Sequence, residues 1–231
     1  MAIFVKRKII RRHLNNNTLF SFLLIIKFNW NMAYSDFTTL KKVKQILGLP
    51  HTLKKLFDEP IADVKPSEHL LFDIEEAEIL VPVTEKSKSE LIISPVLKEV
   101  RRNNADKIAY FSGFPFDVLP EKQLTGICDF IFGHAPQTLE INAPVFCVIE
   151  AKNRTLEEGF GQCAAEMFAA KTFNIEDKQL DTTIYGAVTN GYDWAFMELA
   201  DDNLLCIDTD RYTILKLSEL LGVFQIMIDR I

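Results

Sequence analysis

From Ile108 onward the chain changes texture, and this change limits its folds more than any other feature. IAYFS (108–112), FPFDV (114–118), GICDFIF (126–132) and PVFCVIEA (144–151) are short runs rich in β-branched and aromatic residues, separated by turn formers. Such runs predict strands. An Ala-rich amphipathic stretch, Leu156 to Phe173, predicts a helix. TIYGAVT and YDWAFMEL then predict two strands joined at Asn190-Gly191, a strong hairpin signal. Edge strands are expected at Leu204–Ile207 and Tyr212–Leu215, and a closing helix over 216–230. Upstream, residues 36–57 show helical spacing with a stop at Gly48-Leu-Pro50. Residues 58–83, broken by Pro60, Pro66 and Pro82, predict a connecting segment. Ser87-Lys-Ser-Glu90 predicts a cap opening a helix through Val100, which Pro95 should kink or restart. Helix, strands, helix, strands is the order of an α/β fold with a mixed sheet and helices on both faces.

Charge is unevenly spread. The 231 residues hold 26 bases and 32 acids, but residues 1–31 hold six bases and no acid. The remaining 200 residues therefore carry 20 bases against 32 acids, a net of −12, which argues mildly against a nucleic-acid coat protein. The apolar run Leu19–Ile26 is shorter than the roughly 20 residues of a bilayer span, and no small-x-small cleavage site follows it. No membrane partner is expected. The domain reading is an extension (1–31) outside the fold, a helical or irregular segment (32–83) and an α/β domain (84–231). Cys128, Cys147, Cys163 and Cys206 show neither CxxC nor zinc spacing, and three lie in apolar runs. They predict buried thiols in a reduced, cytoplasmic protein. The four histidines form no HxH or HExxH pattern.

The chemistry concentrates around Val148-Ile-Glu150-Ala-Lys152. Along a strand, residues i and i+2 share a face, so Glu150 and Lys152 project together while Cys147, Ile149 and Ala151 face the other way. Two charges at the end of an apolar strand need a partner or a metal. Asp129 lies in the preceding strand, and if the two strands are neighbours it converges on Glu150. Two carboxylates with a main-chain carbonyl, here that of Ala151, suit Mg²⁺ completed by water, with Mn²⁺ an alternative. Lys152 beside such an ion is placed to orient water or offset charge on a phosphate. The next helix contributes Gln162, with Glu166 one turn further on the same face and Gly159 and Gly161 allowing a close approach to the sheet. Asn153 and Arg154 are candidate phosphate contacts. For Tyr192, Trp194 and Phe196, packing is the expected role. A strand-end ion pair, with Asp129 a turn acid, is the purely structural alternative.

Asp129, Glu150-x-Lys152 and Gln162, in an α-β-β-β-α-β order, resemble the PD-(D/E)xK nuclease superfamily with its restriction-endonuclease-like fold. TEKSKSELIISPVLKE (84–99) is similar to the first core helix of such domains, including those of type I restriction enzymes. The resemblance spans about 84–200. An ExK triplet alone arises by chance about once in a chain of this size, so its context carries the signal. The resemblance implies that Asp129 and Glu150 bind Mg²⁺, that Lys152 positions the attacking water and that Gln162 contributes to the site. A first-helix acid would assist the metal: Glu90 by preference, Glu85 as the alternative, with Glu99 on the opposite side from Glu90. Cys128 stands where the literal motif has proline. The implied activity is Mg²⁺-dependent hydrolysis of phosphodiester bonds, with DNA the expected nucleic-acid partner and a homodimer compatible with the family. A catalytically inactive binding or regulatory module of the same fold is the alternative. A chain beginning at Met32 is expected to fold and remain soluble; its aggregation in sedimentation or light scattering counts against a dispensable extension.

Overall fold

Strand β4 (Val145–Ala151) is buried along its whole length and organises the molecule. The computed structural model describes residues 33–122, 124–179, 183–200 and 202–231; the 1–31 extension lies outside them. An antiparallel meander of β2 (Ala109–Pro115), β3 (Ile127–Gly133) and β4 leads into helix α5 (Phe160–Glu176). That helix crosses over to β5 (Ile184–Thr189), which pairs parallel with β4. β6 (Asp193–Leu199) returns antiparallel to β5, and the turn begins at Asn190 and Gly191, whose φ is 93°. The Asn190 carboxamide accepts hydrogen bonds from the Tyr192 and Asp193 N–H groups, which is the local reason for the turn. β7 (Leu205–Asp208) and the short β8 (Tyr212–Thr213) both pair with β6, before the closing helix α6 (Leu217–Asp229). The result is a mixed, open eight-stranded sheet.

Upstream elements close the far edge and one face. Helix α1 (Leu40–Leu47) starts at the Thr39 cap and ends at left-handed Gly48, as the stop signal predicts. Beyond that stop lies strand β1 (His51–Lys54), added parallel to β7. Buried Asp208 fastens this segment, accepting hydrogen bonds from Leu56 N–H and the Tyr212 hydroxyl. The expected connecting segment contains helix α2 (Glu68–Leu80), capped by Ser67. Pro66 and Pro82 bracket this helix instead of breaking a loop. Only Leu70 and Ala77 are buried in it, and its other apolar residues are spread around the axis, so no single face marked it. Residues 33–231 form one compact unit.

The expected first core helix is built in pieces. Thr84, not Ser87, is its cap, and the two side chains exchange hydrogen bonds with each other's backbone N–H. Helix α3 (Glu85–Lys88) runs through a π-helical turn (Ser89–Ile93) into α4 (Ser94–Asn103), with Pro95 in its first turn. FPFDV is not a separate strand; β2 runs through Gly113 to Pro115 at the sheet edge.

Two cores flank the sheet. Val148, Val188 and Met197 pack with α5 residues Cys163, Ala164 and Met167 on one face. Cys147, Ile149, Ala151, Trp194 and Phe196 pack with α4 and α6 residues on the other. Helices therefore cover both faces. All four cysteines are buried and free, and Trp194 and Phe196 are fully enclosed, as expected. No helix among the described residues is long and apolar enough to cross a membrane.

Two glycines set the position of α5. A Cβ on Gly159 would lie 2.5 Å from Val188 Cγ1 on the sheet, as the small residue there predicts. On Gly161 it would meet Phe37 O at 2.1 Å and Thr39 N at 2.7 Å, so this glycine admits the 37–39 backbone, not the sheet. Gly161→Ala is expected to destabilise the protein by about 1–3 kcal/mol in urea unfolding, because neither backbone nor helix can yield cheaply; an unchanged midpoint refutes this packing.

Candidate active site

The β3–β4 ladder stops at Phe130 opposite Ile149, which leaves Asp129 and Glu150 as the next residues outward on the two strands. Asp129 reaches further: its Oδ2 accepts a hydrogen bond from the Ala151 N–H at 2.8 Å. The carboxylate thus stands in for a backbone acceptor where the ladder ends, and this fixes it against β4. On the other side, the Lys152 N–H donates to Thr189 O at 2.8 Å, extending the pairing with β5 by one residue. Lys152 thereby keeps the strand alternation and shares the face of Glu150. Glu150 and Lys152 thus lie together, as strand alternation predicts, with Asp129 on the neighbouring strand.

The ammonium of Lys152 is hydrogen-bonded and ion-paired with Glu150 Oε1, and donates to Gln162 Oε1 at 3.1 Å. Gln162 Nε2 in turn donates to Glu166 Oε1 at 3.1 Å. Four of the five expected catalytic side chains, Asp129, Glu150, Lys152 and Gln162, therefore form one cluster. Glu90 does not join it: it is exposed and pairs with Lys86 at 3.2 Å, one turn back on its own helix. Among the first-helix acids it is Glu85 whose charge acts on Lys152. Glu99 lies elsewhere, 1% exposed, where it accepts from the Ser67 N–H and hydroxyl at 2.9 Å each and ties α2 to α4.

Two features of the site were not assigned from sequence. Glu166, 0% exposed, terminates the hydrogen-bond chain; its i,i+4 relation to Gln162 was legible, its burial was not. Lys88 donates to Asn153 O at 2.6 Å and lies 5.7 Å from the Tyr192 ring centroid, forming a basic rim with exposed Arg154. Nothing in residue spacing marks a lysine 65 positions away from Asn153 as its neighbour.

Electrostatically the cluster holds three carboxylates and one ammonium. Burial, then the charge of Asp129, pushes the Glu150 carboxyl up to about 8. Burial, then Glu150, pushes Glu166 well above the carboxylate range, and burial raises Asp129 against its hydrogen bond from Ala151. Burial would lower Lys152, but its contact with Glu150 outweighs this and raises it. Glu150 and Glu166 act on each other electrostatically, and among the described residues each has an Oε2 that meets no donor. We assign the retained proton to Glu166, because Lys152 already compensates Glu150 and no cation contacts Glu166 among the described residues.

Among the described residues no group of three or more His, Cys, Asp and Glu is arranged as a ready metal centre. Asp129 and Glu150 offer two carboxylates, with the undonated Glu150 Oε2 buried. That set fits Mg²⁺, which takes one or two protein carboxylates and fills its shell with water and phosphate oxygens. It does not fit zinc, whose sites need three or four nitrogen or sulfur-rich ligands. No family model matches the chain, and no curated protein matches it.

The retained proton has a measurable consequence. In the unfolded chain both glutamates ionise near their ordinary 4.5, whereas in the folded protein burial raises both, Glu150 to about 8 and Glu166 well above the carboxylate range. The folded state binds more protons, so the metal-free protein is expected to lose stability as pH rises from about 4.5 towards 8. Thermal midpoints should show this slope in wild type and a flatter one in Glu166→Gln; parallel profiles refute the assignment.

Proposed function

We propose that this protein is a Mg²⁺-dependent nuclease that hydrolyses phosphodiester bonds of DNA, with a site of the PD-(D/E)xK type on a restriction-endonuclease-like core. The observation that carries this reading is the convergence of Asp129, Glu150 and Lys152 where β3 begins and β4 ends, with Gln162 bonded to Lys152. The order α4-β2-β3-β4-α5-β5, with β4 and β5 parallel around the α5 crossover, supports the finer fold assignment.

Asp129 and Glu150 would hold the ion, which when bound supplies Lewis-acid stabilisation of phosphate charge. Lys152, held between Glu150 and Gln162, is the donor that orients the attacking water and offsets charge developing on the phosphate. Lys88 and Arg154 at the rim are the groups for the flanking phosphates. A second reading, an inactive binding module on the same fold, draws on the net charge of −12 for residues 32–231. It requires that no Mg²⁺ or Mn²⁺ binding depend on Asp129 and Glu150.

Lys152→Ala and Glu150→Ala are each expected to lower Mg²⁺-dependent cleavage of single- or double-stranded DNA by at least about a hundredfold, the usual scale for removing a charge-stabilising group. Cleavage that survives both substitutions rejects this site.

A further inference from the structure

We infer that Glu166 is a positioning residue that locks the Gln162 carboxamide in the one orientation able to hold Lys152. This deepens, and rests on, the nuclease reading above.

A carboxamide has two nearly isosteric ends, one accepting and one donating. Lys152 Nζ only donates, so Gln162 must turn its Oε1 towards it, and it does so at 3.1 Å. Gln162 alone has no preference between its two orientations. In the flipped one its Nε2 would face the ammonium, donor against donor. Glu166 Oε1 reinforces the productive orientation by accepting from Nε2 at 3.1 Å. Residues 162 and 166 are one helical turn apart on α5, and Glu166 is 0% exposed, so water does not compete for the acceptor. A carboxyl group this deeply enclosed, with its Oε2 meeting no donor among the described residues, is costly to keep. The hydrogen bond to Gln162 gives it a task that an apolar side chain at 166 would not perform. Glu166 thus acts on Lys152 through Gln162, and Lys152 is steered from both sides: by Glu150 on its own strand and by the Gln162–Glu166 pair on α5.

The full-length protein carries the test. In wild type, the Gln162 side-chain amide protons should be protected from solvent exchange in ¹⁵N NMR. Glu166→Ala should reduce this protection at least about tenfold, and Glu166→Gln, whose amide oxygen still accepts, should retain it. In Mg²⁺-dependent DNA cleavage, Glu166→Ala should lower kcat by roughly ten- to a hundredfold at constant KM, the scale of a misplaced catalytic group. Glu166→Gln should restore most of this, and Glu166→Ala should add nothing in a Gln162→Ala background. Where the alanine variant fails to fold, Glu166→Met fills the volume without supplying an acceptor. Equal amide protection in wild type and the acceptor-free variant overturns the clamp, as does a full further loss in the Gln162→Ala background. A wild-type protein that cleaves no DNA refutes the nuclease reading alone, and the exchange measurement then decides the clamp.

Discussion

The pairing of Lys152 with Glu150 is the contact on which the site depends. β4 has apolar neighbours on both faces, yet it ends in a carboxylate that is 1% exposed. An uncompensated charge there would cost several kcal/mol, and removing only one member of a buried pair leaves such a charge behind. The alternation of the strand supplies the partner two residues later on the same face. Everything else in the cluster manages what that pair leaves over: Asp129 takes a backbone donor, Gln162 takes the second hydrogen bond of the ammonium, and Glu166 accepts from Gln162.

This arrangement relies on the start of β3 and the ends of β4 and β5 lying together. β3 brings Asp129 to the Ala151 N–H, while the extra β5 contact through Thr189 O keeps Lys152 in line. The α5 crossover, seated by Gly159 against Val188, delivers Gln162 to the same point. A parallel β4–β5 pair needs such a crossover, so the helix that closes the topology is also the helix that completes the cluster.

The central part of this design was legible because local rules decided it. An uninterrupted apolar run marked β4, period-two alternation put Glu150 and Lys152 on one face, and Asn190-Gly191 marked the turn after β5. The residues that escaped depend on long-range placement. β1 is four exposed residues whose strand character comes from pairing with β7, some 150 positions away. Helix α2 was hidden because its apolar side chains encircle it. The placing of Glu99 opposite Glu90 counted on 3.6 residues per turn throughout, which the π-helical turn at Ser89–Ile93 does not provide. Glu166 was visible as a position but not as a member of the buried cluster, since only burial distinguishes it from a solvated helix glutamate.

That π turn has a wider meaning for the molecule. One surplus residue in a helix shifts the phase of everything before it by about 100° relative to everything after it. The stretch from Ser94 onward presents Val96, Leu97 and Val100 to the core, whereas Lys88 reaches Asn153 O just past the end of β4. A straight helix serves one of these demands at a time. With the extra residue, a single stretch of chain works as a structural beam at one end and as part of the wall of the site at the other. Its length between Thr84 and Pro95 is therefore as constrained as its chemistry: loss of one residue there would leave the beam in place and turn the wall away.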